Sequence, residues 1–150
     1  MNLTRGQSAQ SYMYWEFDVP AIPTNATINS ITCNYKARVS NSSTNYIAQA
    51  TIQLYSGTTA KGSSKSIRTT STDASSLSSD QIGTWTAAEI NAGMRLRTWA
   101  QRGGSRTTSN YYIYFYGADI EIEYTEASGD KVFIKSNGSW LEIQIRQMKY

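Results

Sequence analysis

The chain has 150 residues, no histidine, one cysteine and a formal net charge of +3. These counts exclude an imidazole base, a histidine-ligated metal site and an internal disulfide. No run of about 18 apolar residues is present to form a membrane-spanning helix, and the first residues lack a signal-peptide pattern. The composition therefore favours one domain that is not an enzyme, with no catalytic residue, metal site or cofactor.

Alternation of apolar and polar residues predicts antiparallel strands in the first third of the chain. A strand from residue 11 ends at Pro20, and two more cover residues 31–39 and 46–56. The second and third strands have one apolar face each. The residues of these two faces are Ile31, Cys33, Tyr35, Ala37, Val39, Ala48, Ala50, Ile52 and Leu54. We expect these residues to form part of the core, with Cys33 as a small buried apolar side chain.

The middle of the chain, residues 57–83, is rich in Ser, Thr, Gly and Lys. This composition predicts one or two short edge strands, around Lys65–Thr70, joined by mobile loops. Thr86 and Glu89 have the spacing of a capping box, in which each residue's side chain bonds the other's backbone amide. We therefore expect one short helix of about two turns that ends near Gly93.

Three further strands are predicted at residues 94–101, 111–116 and 120–124. Many short alternating strands with one small helix are typical of an all-β fold, namely an antiparallel β-sandwich or jelly roll. We assign residues 1–127 to this domain.

Residues 128–150 form a predicted C-terminal tail. Asn137-Gly138 between two apolar runs is a strong signal for a β-hairpin. An isolated two-stranded hairpin is marginally stable in water, so we expect the tail to dock on the sandwich or on another protein. The candidate docking residues are Trp140, Ile143, Ile145 and Arg146.

Four segments resemble a β-sandwich module of structural proteins from phages and prophages of Firmicutes: FDVPAIPTNATINSITCNYKARVS, IQLYSGTTAKGSS, GTWTAAEINAGMRLRTWAQRG and YYIYFYGADIEIEYT. The tail VFIKSNGSWLEIQ resembles the hairpins that end such proteins. This resemblance implies a virion component of the tail, baseplate or capsid surface, with other virion proteins as partners. Similar modules have a further strand before the first one predicted here. An incomplete sheet edge predicts pairing with a neighbouring chain, as in a homo-oligomer.

Two groups of residues are together the candidates for binding a glycan, with Tyr112, Tyr114, Tyr116 and Trp99 for stacking and Arg95 and Arg97 for anionic groups. Tyr112, Tyr114 and Tyr116 form an outward-facing aromatic row, and aromatic faces can stack on sugar C–H groups. If the first and penultimate strands are neighbours, Tyr12 and Tyr14 extend this row. The same tyrosines could instead be buried or lie at a subunit interface.

The second candidate group lies on the strand that precedes the tyrosine row. Arg95, Arg97 and Trp99 share one face and could bind anionic groups, such as those of teichoic acid or DNA. The alternative is that this row pairs with the acidic row at residues 119–123 across neighbouring strands. Carboxylates that share a strand face could also form a glycosidase pair or a Ca²⁺ site, but no supporting motif is present.

The sequence as a whole predicts a non-enzymatic virion protein that is displayed on a phage particle and binds host cell-surface glycans weakly and multivalently. The alternative is a purely architectural protein, which decorates the capsid or cements the tail without binding a ligand. We expect no specific nucleic-acid partner and no association with a membrane.

Overall fold

A computed structural model describes residues 2–3, 11–103, 110–126, 131–136 and 139–144 of the chain. The side chains described are those of residues 12–103 and 110–126. Ten strands and two short helices lie within these ranges. Their bounds are β1 Asn2–Leu3, β2 Ser11–Phe17, β3 Thr27–Val39, β4 Ile47–Ser56, β5 Thr59–Ser66, β6 Ala74–Ser76, α1 Ser79–Ile82, α2 Ala87–Asn91, β7 Met94–Arg102, β8 Tyr111–Thr125, β9 Lys131–Ser136 and β10 Ser139–Gln144.

The strands form two antiparallel four-stranded sheets and a separate hairpin. The first sheet has the order β1-β8-β3-β6, and the second has the order β2-β7-β4-β5. In the hairpin, β9 pairs with β10 so that Ser136 lies opposite Ser139. The predicted all-β sandwich and its C-terminal hairpin are therefore confirmed, and the docking role of the tail stays a prediction.

The core lies between the inner faces of the two sheets. Alternate residues of β3, β4, β7 and β8 are fully buried, among them Val39, Ile52, Leu96 and Ile122. The predicted inward faces of β3 and β4 are confirmed except at Ala48, which is only partly buried, because a register irregularity between Ile47 and Gln49 places Ile47 in the core instead. Cys33 is a buried free thiol. At one side of the sandwich, the rings of Trp15 and Phe115 connect the sheets with a centroid separation of 5.5 Å.

The predicted capping box is present at the start of α2. The amide of Glu89 donates to Oγ1 of Thr86, and the amide of Thr86 donates to Oε2 of Glu89. Gly93 adopts a φ of 100°, which only glycine adopts readily, and the chain then enters β7. A second short helix, α1, was not predicted, because the polar run around Ser79 has no apolar periodicity.

Three strand predictions were wrong in detail. A strand that the sequence does not predict, β1, precedes residue 11 and pairs with β8 through Asn2 and Leu3. Residues 111–124 do not form two strands but belong to one, β8, which a bulge at Gly117 interrupts. Because the bulge adds one residue, the inward-facing residues are odd-numbered before it, as at Ile113, and even-numbered after it, as at Ile120. The edge strand expected around Lys65–Thr70 is β5, which begins earlier, at Thr59, and ends at Ser66.

Candidate ligand-binding groove

A groove of about 410 Å³ crosses the outer face of the second sheet. It runs over β4, with β5 on one side and β7 on the other. Its lining residues are Gln49, Thr51, Gln53, Tyr55, Ser64, Ser66, Arg68, Arg97 and Trp99. All of these are neutral or cationic, so the groove combines amides, hydroxyls, aromatic rings and two guanidinium groups.

The strand register explains how distant residues come together in this groove. Thr51 lies directly opposite Trp99 of β7 and also opposite Ser66 of β5. Trp99 in turn lies opposite Tyr12 of β2. Side chains directly opposite each other in adjacent strands point to the same face. These four residues therefore form one row across the sheet on its outer face.

A second row runs parallel to the first. Gln53 lies opposite Arg97, and Arg97 lies opposite Tyr14. The amide nitrogen of Gln53 donates to the carbonyl of Gly62 at 2.9 Å, which holds this side chain toward β5. The two rows together give the outer face of the sheet a polar centre over β4, where the groove lies, and an aromatic side over β2, beside the groove.

Many polar groups of the groove form no hydrogen bond within the described part of the chain. These groups are the side chains of Gln49, Thr51, Ser64 and Ser66 and the indole nitrogen of Trp99. They lie on an open surface, where water satisfies them in the free protein. A ligand rich in hydroxyls can replace that water with direct hydrogen bonds.

Arg97 is held in place by aromatic side chains. Its Nη1 donates to the hydroxyl of Tyr55 at 2.6 Å. Its guanidinium carbon lies 5.0 Å from the ring centroid of Tyr12 and 5.4 Å from that of Tyr55. Tyr14 packs edge-on against both tyrosines, at 5.6 Å from Tyr12 and 6.0 Å from Tyr55. The three rings therefore restrict the guanidinium before any ligand binds.

The other arginines near the groove differ in their partners. Arg68 donates to the carbonyls of Ile47 and Ala48, both at 2.7 Å. Arg95 forms a salt bridge with Glu16 at 3.1 Å, and it does not line the groove. Arg95 is thus the one member of the predicted Arg95–Arg97–Trp99 row that the structure separates from this site.

The predicted tyrosine row lies on the opposite outer face of the sandwich, on the first sheet. The rings of Tyr112, Tyr114 and Tyr116 follow one another at 5.9 and 6.5 Å. Arg38 of β3 covers Tyr114 at 4.1 Å from its centroid and donates from Nε to the Tyr116 hydroxyl at 2.9 Å. The sequence prediction grouped this row with Arg97 and Trp99, but the structure places the two sets on opposite faces of the sandwich.

Two further expectations about neighbours were wrong. Tyr12 and Tyr14 do not extend the row on β8, because β2 pairs with β7 in the other sheet. The acidic row of β8 does not face the arginines of β7 either. Asp119 instead accepts from Asn34 at 3.0 Å, and Glu123 accepts from Ser30 at 2.8 Å, both across the β3–β8 ladder.

Sequence reasoning missed most of the groove, although part of the signal was present. Gln49, Thr51 and Gln53 alternate outward on a strand with an apolar inner face, which marks a polar surface but not its neighbours. Among the docking candidates, Ile145 and Arg146 lie outside the described residues. Trp140 and Ile143 lie in β10, whose side chains are also outside them.

Searches for similar proteins give no match to a family model, a curated protein or a solved structure. Within the described ranges, the helices are too short and polar to span a membrane. The same ranges contain no cluster of three or more Cys, Asp or Glu side chains that could hold a metal ion.

Proposed function

We propose that this protein is a non-catalytic component of a phage particle that binds host cell-surface glycans through the groove over β4. The observation that carries the proposal is the set of unused amide and hydroxyl groups beside Trp99 in a groove of about 410 Å³. Hydroxyl-rich ligands need such donors and acceptors, and an aromatic ring favours the C–H faces of sugars. The phage setting derives from the sequence resemblance alone.

Binding rather than catalysis suits the chemistry of the groove. Hydrolysis of a glycosidic bond uses two carboxyl groups that flank that bond. The described lining supplies amides, hydroxyls and guanidinium groups instead. The nearest acid in the register, Glu16, already forms a salt bridge with Arg95. An open groove of this kind gives weak single-site affinity, which many copies on a particle raise through effective concentration.

The test is co-sedimentation of the purified protein with Gram-positive cell walls, with soluble wall polysaccharide as competitor. We expect the wild type to pellet and the competitor to release it. Trp99→Ala should reduce pelleting strongly, because it removes the indole from the centre of the groove. Tyr116→Ala is the matched control, since this exposed aromatic residue lies on the opposite face. Pelleting that is absent, or that both variants lose equally, would contradict the proposal.

An architectural function is the second candidate, and the exposure of β2 favours it. Met13 and Trp15 are on the side of β2 that turns toward the other sheet, yet they remain 37% and 42% exposed. Among the described strands, β2 pairs with β7 alone. An exposed apolar edge strand can pair with a strand of a second copy. This function predicts a concentration-dependent oligomer that Trp15→Lys dissociates, as measured by sedimentation velocity. Added sugar should leave the oligomeric state unchanged.

A further inference from the structure

We infer that the groove selects anionic glycans, in which phosphate or carboxylate groups alternate with hydroxyl-bearing units. This inference rests on the proposed function and names the class of ligand for the same site. It starts from the charges of the two arginines in the groove lining, Arg68 and Arg97.

Neither of these guanidinium groups has a described carboxylate as its partner. Arg68 bonds two backbone carbonyls, and Arg97 bonds a phenol hydroxyl, so all of these acceptors are neutral. Two other cations on this side of the sandwich are paired: Arg95 with Glu16, and Lys61 with Glu89 at 2.6 Å. Arg68 and Arg97 therefore bring two positive charges into the groove, and neither has a described counter-charge.

Arg97 also retains hydrogen-bonding capacity. A guanidinium group has five N–H donors in a planar fork that matches a phosphate or carboxylate. The described contacts use one donor, on Nη1, so the second N–H of Nη1 and both of Nη2 are left for a ligand. Nε is buried and has no hydrogen-bond partner among the described residues. Because the rings of Tyr12 and Tyr55 restrict the group, little side-chain entropy is lost when an anion binds.

The positions of the two arginines favour a polymer over a small anion. Arg97 and Gln53 are opposite each other at one end of the groove. Arg68 follows β5, beside the start of β4, where its two carbonyl acceptors lie. Between them are Thr51 and Ser66, which offer hydroxyls and no charge. An anionic group at each end with hydroxyls in the middle matches a charged polysaccharide or a polyol phosphate.

The experiment measures the affinity of the full chain for matched polymers by affinity electrophoresis and titration calorimetry. Polygalacturonate is compared with its methyl ester, which has the same backbone without charge. Polyglycerol phosphate is the separate phosphate arm, and single-stranded DNA tests a nucleic-acid ligand. We expect at least one anionic glycan arm to bind about tenfold more strongly than the neutral polymer, with a preference that weakens as salt is raised.

Variants connect this preference to the groove. Arg97→Met removes the charge but keeps a flexible stem between the tyrosines, and it should abolish the preference, whereas Arg97→Lys should retain part of it. Arg95→Met is the matched control, because it removes an equal charge from the same strand face outside the groove. Arg68→Gln gives an independent reading if Arg97→Met lowers stability.

The outcomes distinguish a failure of this inference from a failure of the proposed function. Equal affinity for charged and neutral polymers overturns the inference and leaves glycan binding intact. Loss of the preference in Arg95→Met as large as in Arg97→Met also overturns it. Binding to DNA that equals or exceeds binding to both anionic glycans assigns the charge to nucleic acid and overturns it. No binding to any polymer or to cell walls contradicts the proposed function itself.

Discussion

The hydroxyl of Tyr55 accepts a hydrogen bond of 2.6 Å from Nη1 of Arg97, across the β4–β7 ladder. Tyr55 is almost fully buried, whereas Arg97 is half-buried and reaches the groove. A buried side chain of the second sheet thus sets the direction of a charged group on its surface. This contact joins the stability of the sheet to the geometry of the candidate site.

Tyr55→Phe should therefore weaken ligand binding more than it weakens the fold. The substitution keeps the ring beside Arg97 but removes the acceptor, so the guanidinium gains freedom that a ligand must then restrict. We expect a stability loss of about 1 kcal/mol, typical of one hydrogen bond, in urea unfolding. Affinity for cell walls should fall several-fold. The control is Tyr14→Phe, whose hydroxyl has no described partner, and an equal loss of affinity in both variants would count against this role.

Adjacent residues of β4 should separate stability from binding. Ile52 is fully buried in the core, and its neighbour Thr51 faces the groove. Ile52→Ala should lower the free energy of unfolding by about 2–5 kcal/mol through lost burial and an unfilled cavity. Thr51→Ala should change it by less than about 1 kcal/mol while it reduces wall binding. Denaturation midpoints and co-sedimentation of both variants test this, and the reverse pattern would place Thr51 outside the site.

Much of the fold could be predicted because its pattern is local. Alternation along β3, β4 and β7 identifies the inner faces, and the Thr86–Glu89 spacing identifies a helix cap. The candidate site depends instead on which strands are neighbours. Tyr12 and Trp99 are 87 positions apart in sequence, and only the β2–β7 register brings them together. No periodicity reports such a pairing, so the prediction combined Trp99 with a tyrosine row on the wrong sheet.

The bulge in β8 illustrates a second limit. Gly117 has a φ of 146°. It lies where the sequence predicts a short polar turn between two strands. A chain segment with Gly, Ala and Asp is equally compatible with a turn between strands. The long pairing of β8 with β3 keeps the segment in one strand, because the ladder resumes on the other side of the bulge. Tertiary pairing therefore outweighs local turn chemistry at this point.

The cap of α2 should make the free energy of unfolding depend on pH in the acidic range. The bond from Lys61 and the amide of Thr86 lower the pKa of Glu89 below its usual value of 4.5. Because the pKa of Glu89 is lower in the folded state, its ionised carboxylate stabilises the fold. This stabilisation is complete above pH 4.5 and is lost as the pH falls through the folded-state pKa. Unfolding free energies from neutral to acidic pH should show this for the wild type and a weaker dependence for Lys61→Met. Identical profiles would contradict the assignment.

Cys33 should be chemically inert until the sandwich opens. Its side chain is buried between the sheets, and burial, with a smaller contribution from the charge of Asp119, raises the pKa of its thiol to about 12. Since the thiolate is the reactive form, iodoacetamide at mildly alkaline pH should label the native protein extremely slowly. Labelling should become stoichiometric in denaturant, as measured by intact mass. Subdenaturing urea then reports how often the core opens, because labelling tracks the exposed fraction, and rapid labelling of the native protein would show that the β3–β8 side of the core is accessible.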